Sequence, residues 1–350
     1  MLAAIAPGAL VGGVFAYAAD RCSRRLIAGG GAFGFALSLA LFAGGRSFAV
    51  LVAAGFVMGM ASTAMVDAAE VALVDLAGDD LRRYLARSNL LAEVGDLLGP
   101  VLIAAVVVAG LSWRVAFAVA AALMALYALW LCAAPLPGPI RDGDGDDGDG
   151  GGARPGLGDV VRDPAVWVLG LIGLLMTPFD EALVGFTIAL LEQERGASGA
   201  TATVVAIVGV VGGVVAFTVL AKRFEGIDDD RLLLRSMWVM SVAAVAIAVV
   251  PVLALVAVAG LLVSVGLSLG WLAVQHRSLT LRPGQVGTTK AVLNAIEFTG
   301  FWIPVAIGAL ADRAGLSVAV GSYGVLGGAI VALAWWSGPR SKRKGPSTLA

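Results

Sequence analysis

Residues 18–25, "AADRCSRR", decide how this chain folds. They hold its first four charges, Asp20, Arg21, Arg24 and Arg25, within six positions, after about nineteen residues that carry none. A run of that length is enough to cross the hydrocarbon of a bilayer, which takes about 20 apolar residues of helix. A dense basic turn directly behind it reads as a cytoplasmic loop of a membrane protein.

The same alternation continues to the end of the chain. The 350 residues are 59% hydrophobic and 14% charged, with a mean hydropathy of +0.92. Soluble domains run about 45–50% apolar and about 25% charged. Apolar windows fall near 2–19, 26–44, 48–72, 90–109, 114–133, 165–189, 200–221, 233–250, 252–273, 289–310 and 316–337. They are continuous rather than alternating in period two, which excludes a β-barrel. With the loop of Asp20 cytoplasmic and sides alternating from there, twenty of the 24 basic residues share that side. Only Arg46, Arg114, Arg195 and Arg313 fall on the other. A helix added or lost in the middle would scramble this partition, so the reading is an all-α integral membrane protein of about eleven transmembrane helices. Trp113, Trp130, Trp167, Trp271, Trp335 and Trp336 sit near window ends, where an amphipathic ring prefers the headgroups, and Trp302, inside a window, is the exception. The first run lacks a basic n-region and a good cleavage site, so it reads as a spanning helix rather than a signal peptide.

Between the fifth and sixth windows, "RDGDGDDGDGGG" (141–152) dominates a segment too poor in apolar residues to pack. Its spaced aspartates lack the glutamate and flanking helices of a Ca²⁺-binding loop. The expected organisation is a five-helix bundle over 1–133, a disordered cytoplasmic linker over 134–163, a six-helix bundle over 164–338 and a basic cytoplasmic tail over 339–350. The second bundle has a counterpart to the opening turn, "LAKRFEGIDDDRLLL" (220–234). Two helices precede that turn after the linker, whereas one precedes "AADRCSRR". The asymmetry points to a six-plus-six pattern without its first helix.

At this point the sequence resembles the major facilitator superfamily, whose loop after the second helix carries a pattern close to G-x-x-x-D-R-x-G-R-R. Here Asp20, Arg21, Arg24 and Arg25 match, while Ala16 and Ser23 stand in place of the glycines. The resemblance implies a two-bundle transporter of 5 + 6 helices instead of twelve. It also gives the turn a structural and gating role rather than substrate binding. A second stretch, "GDLLGPVLIA" (95–104), resembles the family's antiporter motif through Gly95, Gly99 and Pro100, with Ile103 and Ala104 replacing its last glycines. That match leans toward efflux; close helix packing without directional meaning is the other reading.

Ionisable side chains within a bilayer are costly and are functional candidates by default. Asp180 and Glu181 fall near the middle of the sixth window and Glu297 near the middle of the tenth, with Asn294 on the same face. Glu93 and Asp96 lie three apart near the start of the fourth window, and Asp67 and Glu70 three apart toward the end of the third, with Asp75 assigned to the loop beyond. Adjacent helical side chains diverge by about 100°, so the expected proton site is Glu297 with one of Asp180 and Glu181. The structural alternative is that these acids cap broken helices or pair across them. No Lys or Arg is placed deep in a window, which argues against anionic cargo. His276, at the end of the ninth, reads as interfacial.

One histidine and two distant cysteines, Cys22 and Cys132, exclude a Cys/His metal site. "GQVGTTK" lacks the spacing of a phosphate-binding loop, and nothing marks an intramembrane protease. No cofactor, metal or nucleic-acid partner is expected, and the chain reads as a transporter rather than an enzyme. The leading expectation is a monomeric, proton-coupled exporter of a neutral or cationic small molecule in the plasma membrane of a prokaryote. A solute:proton symporter for uptake is the alternative. A non-transporting protein, inactive for want of its first helix, is the alternative of another class.

Overall fold

The computed structural model describes residues 2–136, 157–223 and 226–341. Most of the linker and of the basic tail therefore lies outside the described residues. The described residues are helical throughout, with no strand among them. Leu2–Ala19 forms α1, Arg24–Gly44 α2, Phe48–Ala77 α3, Leu81–Val108 α4 and Trp113–Ala133 α5. A short α6 (Leu157–Val161) precedes α7 (Pro164–Met176), α8 (Glu181–Gln193), α9 (Gly199–Val215) and the single turn α10 (Ala221–Arg223). Then come α11 (Asp229–Val249), α12 (Leu253–Thr280), α13 (Val286–Glu297), α14 (Ile303–Ala314) and α15 (Leu316–Ser341).

Nine stretches among the described residues are long and apolar enough to cross a membrane, and one of them, Phe48–Ile103, runs through both α3 and α4. α1 is a shorter apolar helix by the same measure. Each window read from the sequence coincides with a helix or a broken helix. The breaks have local causes. Pro178 offers no backbone N–H, and Thr177–Phe179 tightens into a 3₁₀ turn that divides the sixth window into α7 and α8. Phe298–Trp302 does the same between α13 and α14, just before Pro304. Trp302, an exception inside an unbroken window, thus sits at a helix break and is exposed. Helix starts are set by Ser47, Ser112 and Ser198, whose hydroxyls accept from Val50, Arg114 and Thr201 amides.

The chain divides into two compact units whose membership crosses the linker: Met1–Leu81, Leu98–Trp167 and Ser278–Phe298 in the first, Arg82–Leu97, Val168–Arg277 and Thr299–Ala350 in the second. In the first unit α3 packs against α1 and α2, α2 against α5, and α13 against α1, α3 and α6. Small residues permit this in lipid, where dispersion rather than water exclusion drives helix contact. A Cβ on Gly8 would lie 2.0 Å from the Phe56 carbonyl oxygen. In the second unit α11 packs along α15, and α8 touches α9 and α15. Large apolar side chains such as Leu37, Leu126, Val242 and Val325 point outward, as a lipid-facing surface requires.

Candidate functional site

The charged turn finds its partner on a helix 267 residues away in sequence. At the N-terminus of α13, Gln285 supplies no side-chain cap. Asp20 supplies it instead: Oδ1 accepts from the Gly287 amide at 2.9 Å, and Oδ2 from the Thr288 amide at 2.7 Å and its hydroxyl at 2.8 Å. A carboxylate on the first free amides of a helix also meets the positive end of its dipole. The approach is close, since a Cβ on Gly287 would stand 2.1 Å from the Ala16 carbonyl oxygen and 2.9 Å from Asp20 Oδ1. Arg21 lies over the Tyr17 ring, 3.8 Å from its centroid, and donates to the Tyr17 carbonyl. Arg24 is buried, donating to the Ala19 carbonyl and pairing with Asp75. α3 extends to Ala77, so Asp75 belongs to its last turn and not to the loop beyond. Arg25 is exposed, with no ion pair among the described residues.

Deeper in the first unit, the 3.6-residue repeat aligns Lys290, Asn294 and Glu297 on one face of α13. Across from them are Asp67 and Glu70 of α3. Lys290 Nζ lies 2.8 Å from Glu70 Oε2 and 3.5 Å from Asp67 Oδ1, and Asn294 Nδ2 donates to Asp67 Oδ2 at 2.6 Å. Lys290 and Asp67 are 9% and 3% exposed. This corrects the expectation that no lysine or arginine lies deep in a helix. α13 begins at Val286, upstream of its apolar window, and carries Lys290 inward on its second turn. Glu297 ends α13, half-buried, with Lys290, Asp67 and Glu70 as its charged neighbours and no hydrogen bond among the described residues.

The other acids gather in the second unit. Glu93 Oε1 accepts from Ser268 at 2.8 Å, and its carboxylate lies flat against Gly213, where a Cβ would come within 2.2 Å of it. Asp96 and Asp180 are its charged neighbours, and Glu181 is that of Asp180. Asp180 precedes α8 without a side-chain cap bond, and Asp96, Asp180 and Glu181 are exposed. None of these four acids makes an ion pair among the described residues. Gly95 and Gly99 have open space where a Cβ would be, so neither mediates a close helix contact among the described residues. The helix continues through position 100, whose side chain lies outside the described residues.

Sequence reasoning missed a second set of contacts, also in this unit. His276 Nδ1 lies 2.6 Å from Asp229 Oδ2, and Arg82 Nη1 3.6 Å from Asp229 Oδ1 and 2.6 Å from the Ile227 carbonyl oxygen. Arg277 pairs with Asp230 at 2.6 Å, and Asn89 donates to Gln275 at 2.9 Å. The signal was present in "LAKRFEGIDDDRLLL", where three aspartates stand where the first half has one. Elsewhere in the unit, Glu194 accepts from the Leu316 and Ser317 amides and the Ser317 hydroxyl, capping α15. Those bonds, the Ser317 hydroxyl foremost, hold its carboxyl below the ordinary range. Arg195 donates to the Ile247 and Ala248 carbonyls at the end of α11, and burial draws its guanidinium down.

A family model described as "Major Facilitator Superfamily" matches residues 1–303. Among solved structures, the human organic anion transporter MFSD10 (TETRAN) aligns with a TM-score of 0.74 at 19% identity, over 95% of this chain and 82% of that one. The transporter FucP in its outward conformation aligns at 0.76 and 15%, over 95% and 89%. A second structure, of the E. coli fucose:proton symporter FucP, aligns at 0.74 and 15%, over 96% and 90%. No curated protein matches the chain.

Proposed function

Because this chain belongs to the major facilitator superfamily and is by fold and family a secondary transporter, we propose that it couples proton entry to export of a neutral or cationic small molecule. One observation carries this reading: within the spans, carboxylates outnumber cations. Lys290 is matched by Asp67 and Glu70, and Arg24 by Asp75. Among the described residues, Asp96, Asp180, Glu181 and Glu297 have no cationic partner in an ion pair. A carboxylate set within a span without an ion-pair partner is stabilised by taking up a proton or a cation, whereas an anion is repelled by it. The buried lysine, overlooked in the sequence, does not reopen the case for anionic cargo, because its charge is already matched.

In the proposed cycle the bundles 1–133 and 164–338 are the moving bodies, joined by the linker over 134–163 and working as a monomer in a prokaryotic plasma membrane. The Asp20 cap on α13 and the Arg82–Asp229–His276 group hold the cytoplasmic side shut, and each joins a first-half segment to a second-half helix. Glu297 and Asp180 exchange the proton.

Reconstitution tests this. Proteoliposomes enclosing a pH-sensitive dye are given a pH gradient of either polarity, with a panel of small organic cations and neutral solutes outside. The expected result is cargo-dependent proton flux that Glu297→Gln abolishes, and the gradient direction that accumulates cargo distinguishes export from uptake. Silence under both polarities, with every solute, would remove proton coupling and favour the inactive alternative.

A further inference from the structure

We propose that Asp67, Glu70 and Asn294 form a primary-ammonium site, and that Lys290 is the occupant the protein supplies for itself. The geometry is that of a bound alkylammonium. Two carboxylates on successive turns of α3 converge on one nitrogen, at 2.8 and 3.5 Å. Asn294 donates to Asp67 Oδ2 and so leaves Oδ1 toward the ammonium. The ligand nitrogen is buried with its acids, where charge-assisted hydrogen bonds are strong. Two carboxylates around one ammonium also leave a surplus negative charge, so the cradle continues to attract a cation when the lysine is withdrawn.

The contacts select for N–H donors. Among the described residues no aromatic ring stacks on Lys290, the cation–ring contacts being those of Arg21, Arg87 and Arg114. A quaternary ammonium, which has no N–H and is held by ring faces, finds nothing here to replace its water. The site therefore fits a primary amine on a short alkyl chain, the chemistry of the lysine tip.

The occupant and the acids lie on opposite sides of the linker in sequence, Lys290 on α13 and Asp67 and Glu70 on α3. A movement that withdraws α13 empties the cradle, and a primary-amine cargo fills it. What replaces Lys290 rests on the proposed transport function; the ammonium specificity of the cradle does not.

Lys290→Ala removes three carbons and the nitrogen, so n-propylammonium is the missing piece. The full chain is purified in detergent, and its Tm is read by intrinsic fluorescence in n-propylammonium, tetramethylammonium or sodium chloride at equal ionic strength. Lys290→Ala should melt several degrees below the parent and recover saturably in n-propylammonium alone, while the parent, its site filled, does not respond. Asp67→Asn/Lys290→Ala should weaken the response, and Asp67→Asn/Glu70→Gln/Lys290→Ala should lose it. Should Lys290→Ala not fold, Glu70→Gln/Lys290→Ala, with one acid fewer to leave unpaired, should still respond, with half-saturation roughly tenfold weaker for one lost charge-assisted contact. Equal responses to the three salts, an equal response in the parent, or none in either variant would overturn the proposal. The readout is binding, so absence of proton flux in the parent would count against the transport reading and not against this one.

Discussion

Asp20 caps α13 because the helix cannot cap itself: Gln285 makes no side-chain bond to its first amides, and Asp20 satisfies two of them from another part of the chain. Losing an N-cap costs roughly 0.5–2 kcal/mol. Asp20→Ala should therefore raise amide exchange at Gly287 and Thr288 by about tenfold, with little change inside α5. Gly287→Ala should do at least as much, by forcing its Cβ against the Ala16 carbonyl. Protection unchanged in both variants would mean the cap does not hold this end. The same residue shows what the sequence could convey. The acid and arginines of "AADRCSRR" were legible as a patterned turn; that the acid serves α13 was not, because nothing in a single sequence pairs positions 20 and 287. Lys290 was misplaced for a related reason. The apolar window opens near 289 with the lysine at its edge, whereas the helix starts where its amides find an acceptor, at Val286, and that puts the lysine on its second turn.

At the scale of the element, the long windows were legible because twenty apolar residues have one economical form in lipid, a helix. The breaks inside two of them were not, although Pro178 and Pro304 mark both. Composition averages over a break that costs only a turn of hydrogen bonds. The end of α15 offers a test of a cap that lies outside the spans. Glu194 accepts three hydrogen bonds there, and its carboxyl is held below the ordinary range. A group lowered on folding contributes stability above its unfolded value and loses it as pH falls through the folded one. The first turn of α15 should thus be protected at neutral pH and fray as the medium becomes more acid than the carboxylate range. Glu194→Gln should already be frayed at neutral pH and change little on acidification. Exchange at the Leu316 and Ser317 amides, compared between parent and variant at each pH, measures this; parallel profiles would show that the carboxylate is not the cap.

At the scale of the whole molecule, two of the contact groups that join first-half to second-half segments use the charged turns: Asp20 with α13, and Arg82 with Ile227 and Asp229. Each charged turn takes part in one of them, the first through Asp20 and the second through Ile227 and Asp229; the internal repeat in the sequence marked the pair of turns, not the contacts they make. If both are latches on one conformational equilibrium, their effects combine. A two-state equilibrium shifts about tenfold for each 1.4 kcal/mol, and independent contributions multiply. Thr289 supplies the reporter: it is fully buried beside the first latch, and its hydroxyl has no hydrogen-bond partner among the described residues, so Thr289→Cys removes none of those bonds. In a chain with Cys22 and Cys132 replaced, N-ethylmaleimide should label that cysteine slowly. Asp20→Asn and Arg82→Gln should each accelerate labelling several-fold, and the double variant by about the product of the two. Acceleration by Asp20→Asn alone, with Arg82→Gln silent in both backgrounds, would confine the effect to local fraying of α13 and leave the second charged turn without a part in the gate.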